Sequence, residues 1–161
     1  MKRLIMIVLL LNLLVTAYSW GAAPAPPDLP AVSLLTAGGE PFAAEQIGRE
    51  KGVLLVLISK GSPGGVKMLD FLARLEPQFP AGRLLIVVAG ADERVFKSIS
   101  GKYPQLAATW YRDPQGALAR QLKLSVTPAV LGVRDAKVAW NLFGIADEEL
   151  LEKTMRGWLN R

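Results

Sequence analysis

The 161-residue chain contains no cysteine and no histidine. The first absence removes thiolate nucleophiles, disulfides and thiol redox chemistry; the second removes imidazole acid–base catalysis, and together they remove the usual zinc ligands. Asp70, Asp92, Asp113 and Asp147 are scattered carboxylates, and no close acidic pair suggests a metal site or a two-carboxylate hydrolase. Nor is there a motif for an organic cofactor. Long basic runs and basic–aromatic stripes are absent, which leaves nucleic-acid binding without support. Chemistry, if any, must be done with serine, threonine, lysine, carboxylates and shape.

The N-terminus reads as an export signal. Lys2 and Arg3 precede an apolar run over residues 4–15 broken only by Asn12, and Ala17 and Ser19 have the spacing of a signal-peptidase site that cuts before Trp20. Cleavage after Gly21 or Ala22 is the neighbouring alternative, which sets the leader at residues 1–22. The run is shorter than the ~20 apolar residues of a membrane span. Left uncleaved, residues 4–17 would serve as an inner-membrane anchor. With no cysteine after the run, a lipid anchor is excluded. The expected location is the bacterial periplasm or the outside of the cell. Without Lys2 and Arg3, 17 basic residues face 14 acidic ones, a mild excess.

Residues 23–30 (APAPPDLP from Ala23) form a proline-rich leader into a domain over 31–161. Residues 32–35 and 40–42 predict a short hairpin around Gly38-Gly39, followed by one helical turn closed by Gly48. Residues 52–58 (GVLLVLI) and 83–89 (RLLIVVA) are continuous apolar runs, the pattern of strands buried on both faces. Ser62-Pro63 supplies an N-cap and a favoured first helical residue, with Val66, Leu69, Leu72, Ala73 and Leu75 at helical spacing after it. A helix is expected over 92–99, a strand over 109–111, and a helix from Asp113-Pro114 through Leu122. Residues 129–133 and 137–142 flank Arg134-Asp135-Ala136 as a hairpin. Asp147 caps a last helix whose buried stripe is expected to be Leu150, Leu151, Met155, Trp158 and Leu159. The order β-α-β-α-β-α-β-β-α predicts an α/β sandwich of three layers, a mixed central sheet with helices on both faces and an N-terminal β-hairpin extension.

Two stretches stand out. One is the loop 59–65 (SKGSPGG) after the first buried strand; the other is 125–129 (SVTPA), entering the second hairpin. On these residues the chain resembles the thioredoxin-like superfamily, on the exported redoxin branch of thiol-specific antioxidant proteins and cytochrome-maturation thioredoxins. The resemblance runs from Asp28 to Trp158. It takes in VLLVLIS, the helix after SPGG, LLIVVAG, Asp113 before ALARQLKLSVTPAV, and the stretch from Val138 to Gly144.

In that family the first loop carries C-x-x-C. Here Ser62 stands at the attacking cysteine and Gly65 at the resolving one. Against the T-x-x-C pattern of peroxiredoxins, Ser59 falls on the threonine and Ser62 on the cysteine. Thr127-Pro128 falls on the family's cis-proline, beside which redox relatives pair an extended substrate peptide. The departures extend past the thiols. Gly61 replaces a customary tryptophan, Leu57 and Ile58 an aromatic pair, and Val56 a buried Asp or Asn that manages protons.

Each candidate has a plain alternative. Ser62 is a nucleophile only with a base, for which Lys60 or Lys67 would have to serve, and otherwise it caps a helix. Gly64 and Gly65, with Lys60, would let an anion approach a helix N-terminus, or they simply make a turn. Thr127-Pro128 serves a peptide groove or only bends the chain. Trp110 and Trp140 are expected in the core or at a groove edge, and Arg83, Lys97 and Lys102 at solvated ends of elements. The implied reading is a thioredoxin-like domain of the cell envelope that binds a peptide or partner protein through Lys60, Gly61, Ser62, Pro63, Gly64, Gly65, Thr127 and Pro128, with no catalytic residue. The alternatives are a redoxin oxidoreductase or peroxidase working only with a thiol-bearing partner, and a thiol-free enzyme using Ser62.

Overall fold

A computed structural model describes residues 26–75 and 79–160. The leader over 1–22 and the anchor alternative over 4–17 lie outside the described residues. Among the described residues no helix is long and apolar enough to cross a membrane.

Seven strands form one sheet: β1 (Ser33–Thr36), β2 (Pro41–Ala43), β3 (Val53–Ser59), β4 (Leu84–Ala89), β5 (Thr109–Asp113), β6 (Ala129–Arg134) and β7 (Lys137–Phe143). Their spatial order is β2-β1-β5-β4-β3-β6-β7. β3, β4 and β5 run parallel, and β1, β2, β6 and β7 join antiparallel. Among the described residues the helices are α1 (Pro63–Leu75), α2 (Glu93–Ser100), α3 (Ala117–Gln121) and α4 (Glu148–Leu159). The two apolar runs do become the central strands, β3 and β4, and every residue of β4 is buried.

Alternation along β3 sorts the core into two layers. Leu54, Val56 and Ile58 pack with Met68 and Leu72 of α1, Phe96 of α2 and Met155 of α4. Leu55 and Leu57 point to the opposite face, against Leu34, Ile47, Tyr111 and Leu118 of α3. Three helices therefore cover one face, and the short α3 with the N-terminal segment covers the other. The proline-rich leader is also docked where it is described. Leu29 is buried, its N–H donates to the Ala136 carbonyl at 2.7 Å, and Val138 donates to the Pro27 carbonyl at 2.9 Å.

Several side chains depart from the sequence expectation. Leu150 and Val66 are about half exposed, at 51% and 54%, although both sit at apolar positions of helical spacing. Each lies in the first turns of its helix beside a buried neighbour, Leu151 and Gly65, so it faces away from the core. Arg83 is not a solvated strand end. Its guanidinium donates to the Gly52 carbonyl and to the Leu159 carbonyl, and burial followed by the neighbouring Arg134 lowers its pKa. Trp158 behaves as expected for a residue that seats the last helix. Its indole N–H donates to the Val53 carbonyl at 3.0 Å, and Arg134 lies 4.6 Å over its ring.

The second hairpin turns in two residues, Asp135 and Ala136, rather than the three read from the sequence. Both have positive φ, 53° and 58°. That is the conformation of a tight hairpin turn that favours Asn-Gly, and a Cβ makes it costly. Ala136→Gly is therefore expected to stabilise the protein by ~0.5–1 kcal/mol in urea titrations, against the usual penalty for introducing glycine.

Candidate functional site

β3, running parallel to β4, delivers its C-terminal end to one edge of the sheet, and β6 runs antiparallel to β3 so that its first residues arrive at the same edge. Topology thus brings loop 59–65 to the segment before β6, although 68 positions separate Ser59 from Thr127. The two segments touch in two places. The Ser59 and Thr127 hydroxyls share a hydrogen bond at 2.8 Å. The Pro128 ring packs over Gly64, so close that a Cβ on Gly64 would lie 2.9 Å from Pro128 Cδ. The Thr127–Pro128 peptide is cis, and the Pro128 carbonyl accepts from the Gly144 N–H at 2.8 Å.

Ser62 sits as a helix cap. Its Oγ accepts from the Gly65 N–H at 3.3 Å and its carbonyl from the Val66 N–H at 3.3 Å, while its own N–H donates to the Ser59 carbonyl at 3.2 Å. No lysine reaches it by hydrogen bond among the described residues. Lys60 is exposed, and its aliphatic stem runs along Gly90 at the end of β4. A serine whose oxygen is engaged by a backbone donor, with no base in contact, is not set up for attack. The anion alternative is thin as well. Pro63 has no N–H and Ser62 takes those of Gly65 and Val66, leaving Gly64 as the free donor of the first turn.

Gly65 is buried, and a Cβ there would meet the Ile58 Cβ at 3.3 Å. Gly61 and Pro63 are exposed at the rim. The eight predicted positions therefore lie at one end of the sheet, although the Lys60 ammonium turns away from Ser62.

Three features were not read from the sequence. Ser59 ties the loop to Thr127, and Gly144 holds the Pro128 carbonyl. Third, large apolar side chains stand exposed at this end: Val66 at 54%, Val126 at 52% and Phe143 at 47%. Phe143 pairs with Ala129 directly after the proline, so it is carried to the same edge. Alternation in β7 held the signal for Phe143. Val126 stands in an irregular stretch with no periodicity to judge it by. The main-chain groups of Val126 and Thr127 form no backbone hydrogen bond among the described residues.

Asp113 is the one buried charged residue among those described, 2% exposed at the end of β5. Its carboxylate accepts from the N–H groups of Ala117 at 3.0 Å and Leu118 at 2.9 Å in the first turn of α3, whose N-cap is Gly116, so the helix starts at Ala117 and not at Asp113-Pro114 as read from the sequence. Among the described residues no cluster of acidic groups has the makings of a metal site.

A seven-stranded mixed sheet of order β2-β1-β5-β4-β3-β6-β7, with three helices on one face and α3 on the other, decides the architecture. The fold is thioredoxin-like. Solved structures agree. The chain matches a secreted Mycobacterium tuberculosis disulfide oxidoreductase homologous to Escherichia coli DsbE, with 18% identity, 81% of this chain, 95% of that one and a TM-score of 0.64. It also matches Mycobacterium tuberculosis DsbF (16% identity, 83% and 99% coverage, TM-score 0.69). A thioredoxin-like protein of Porphyromonas gingivalis matches with 20% identity, 82% and 92% coverage and a TM-score of 0.66. No protein-family model and no curated protein matches the chain. At these identities the likeness is one of fold, and the thioredoxin-like framework here carries Ser62 and Gly65 with no cysteine anywhere in the chain.

Close packing at the loop makes a signed prediction. Glycine inside a helix ordinarily costs ~1 kcal/mol relative to alanine. Gly157 in α4 has nothing within 4 Å of a would-be Cβ, so Gly157→Ala should stabilise by about that amount. Gly64→Ala should instead destabilise by ~1–3 kcal/mol, because the Pro128 ring occupies the space. Thermal or urea unfolding of the two variants checks the inversion.

Proposed function

We propose that this chain is a thiol-independent binding protein of the cell envelope, and that it holds an extended polypeptide segment across the Ser62 loop and the Val126–Pro128 segment. The observation that carries this reading is the unpaired main chain of Val126 and Thr127, set beside the exposed Val126 and Phe143 side chains. An extended segment can pair with such free main chain by backbone hydrogen bonds, with apolar side chains supplying specificity. Nothing in that mode needs sulfur. The export reading of the N-terminus, and the secreted disulfide oxidoreductase among the similar structures, favour the periplasm or the cell exterior.

The test uses an unfolded, carboxymethylated polypeptide, which has no free thiol or disulfide to exchange. Saturable binding is expected, with at least a roughly tenfold loss in Val126→Asp, an exposed position where the charge does not threaten the fold. No binding, or equal binding by Val126→Asp, would overturn the proposal. Reduction of insulin disulfides or turnover of peroxide by the pure protein would favour the oxidoreductase reading instead.

A further inference from the structure

A cavity of about 360 Å³ opens between α1 and α2, on the helical side of the Ser62 loop. That is within the ~300–1,000 Å³ range of sites for small ligands. Leu69, Val95, Ile99 and Tyr103 line it, with Val66 half exposed beside them. The cavity shares Ser59, Gly61, Ser62 and Gly65 with the loop side of the peptide groove, but Val126, Thr127 and Pro128 take no part in it, and the inference does not rest on the peptide reading.

Its charge has one sign. Arg94 and Lys102 line it, and no carboxylate does. Both cations are exposed, and neither forms an ion pair among the described residues, whereas Lys97 on the same helix is bound to Glu93 at 2.6 Å. Asp70, which is not in the lining, accepts from the Tyr103 hydroxyl at 2.9 Å. Burial, and then that bond to Asp70, pushes the Tyr103 pKa up to about 12, so the phenol keeps its proton and its partner. Ser59, Ser62 and Ser98 complete the polar part of the lining.

We infer that this cavity is a binding site for a small amphipathic carboxylate, its apolar tail seated against Leu69, Val95 and Ile99 and its anionic head met by Arg94 and Lys102. Apolar walls favour any tail through the area they remove from water. Two cations without partners and no facing acid favour a head of negative charge over a neutral or positive one. Arg94, Ser98 and Lys102 recur every four residues, so they follow one side of α2 from its first turn to just past its C-terminal end.

Octanoate, 1-octanol and octylammonium, which share one tail and differ in head charge, test this on the full chain. Each is titrated to ~2 mM while the methyl NMR signals of Leu69, Val95 and Ile99 are followed. Octanoate is expected to shift these signals saturably, octanol to bind roughly tenfold more weakly, and octylammonium more weakly still. The Arg94→Gln/Lys102→Gln double variant, altered only at exposed positions, should bind octanoate no better than octanol and leave octanol binding unchanged. Raising salt to ~1 M should erode the octanoate preference. Equal affinity for the three probes, a preference that survives the double variant, shifts confined to other methyls, or no octanoate binding at all would each overturn the assignment.

Discussion

Val56→Asp is expected to destabilise the domain by at least ~4 kcal/mol at pH 7, enough to unfold much of a domain whose total stability is ~5–15 kcal/mol. Val56 sits at the middle of the central strand, fully buried, with Ile86 of β4 on one side and Val130 of β6 on the other. Its layer holds Leu54, Ile58, Met68 and Leu72, and the polar atoms of its aromatic members are engaged elsewhere, the Tyr103 hydroxyl on Asp70 and the Trp158 indole on the Val53 carbonyl. This is the position where redox relatives are expected to bury an acid or amide that manages protons. Here the space has been closed with hydrocarbon. Burial raises the carboxyl pKa of the variant above its unfolded value near 4. The folded state then binds more protons than the unfolded one between those two pKa values, so the variant loses stability as pH rises through that window. Urea titrations at pH 4 and pH 7 should therefore show the smaller deficit at pH 4. Val56→Thr, similar in shape but carrying a hydroxyl, should cost only ~1–3 kcal/mol. A Val56→Asp protein within 1 kcal/mol of the parent at pH 7 would mean that the layer under α1 admits water or a partner.

Installing two thiols is expected to create disulfide-reducing activity. The parent has no cysteine, so its insulin-disulfide reduction should equal the buffer background. Ser62→Cys/Gly65→Cys should raise it at least tenfold above that background. Positions three apart at the start of a helix suit disulfide geometry, which needs Cα atoms ~4.4–6.8 Å apart. The sulfur at position 62 would take the place of the Ser62 oxygen, which now accepts the Gly65 N–H at 3.3 Å. A backbone donor and the helix N-terminus both favour a thiolate. Position 65 is the tighter one, since its Cβ must fit 3.3 Å from the Ile58 Cβ and the neighbour must give by a few tenths of an ångström. With valine at 56 and glycine at 61, the rate should stay well below that of a dedicated reductase. A folded double variant with two free thiols and no activity would show that Ser62 and Gly65 are not where this fold would hold its chemistry.

Much of the architecture was legible from the chain because two features are local. The unbroken apolar runs VLLVLIS and LLIVVA could only be strands covered on both faces, and Ser62-Pro63, Asp92 and Asp147 mark helix starts by chemistry that acts within a turn. Asp92 accepts from the Val95 N–H and Asp147 from the Leu150 N–H, both at 2.8 Å. Local patterns failed where neighbours from other parts of the chain decide. Arg83 looked like a solvated end because its partners, Gly52 and Leu159, lie 31 and 76 positions away. Leu150 and Val66 had the right spacing, but which side of a helix meets the sheet is set by its docking, and Leu151 and Gly65 take the buried positions beside them.

The sequence by itself determined what this protein lacks, the order of its strands and helices, and the two stretches, 59–65 and 125–129, that the fold brings into contact. Composition and short-range periodicity are enough for that. Only the tertiary structure decided that Gly64 is needed against the Pro128 ring, that Ser59 binds Thr127, that Val126 and Phe143 stand exposed at one edge, and that Arg94 and Lys102 line a cavity free of acids. Those facts arise from a parallel β3–β4 pair and an antiparallel β3–β6 pair, which bring distant residues to one end of the sheet. Contacts across such pairs are set by register and closure of the sheet, and no window along the chain contains them.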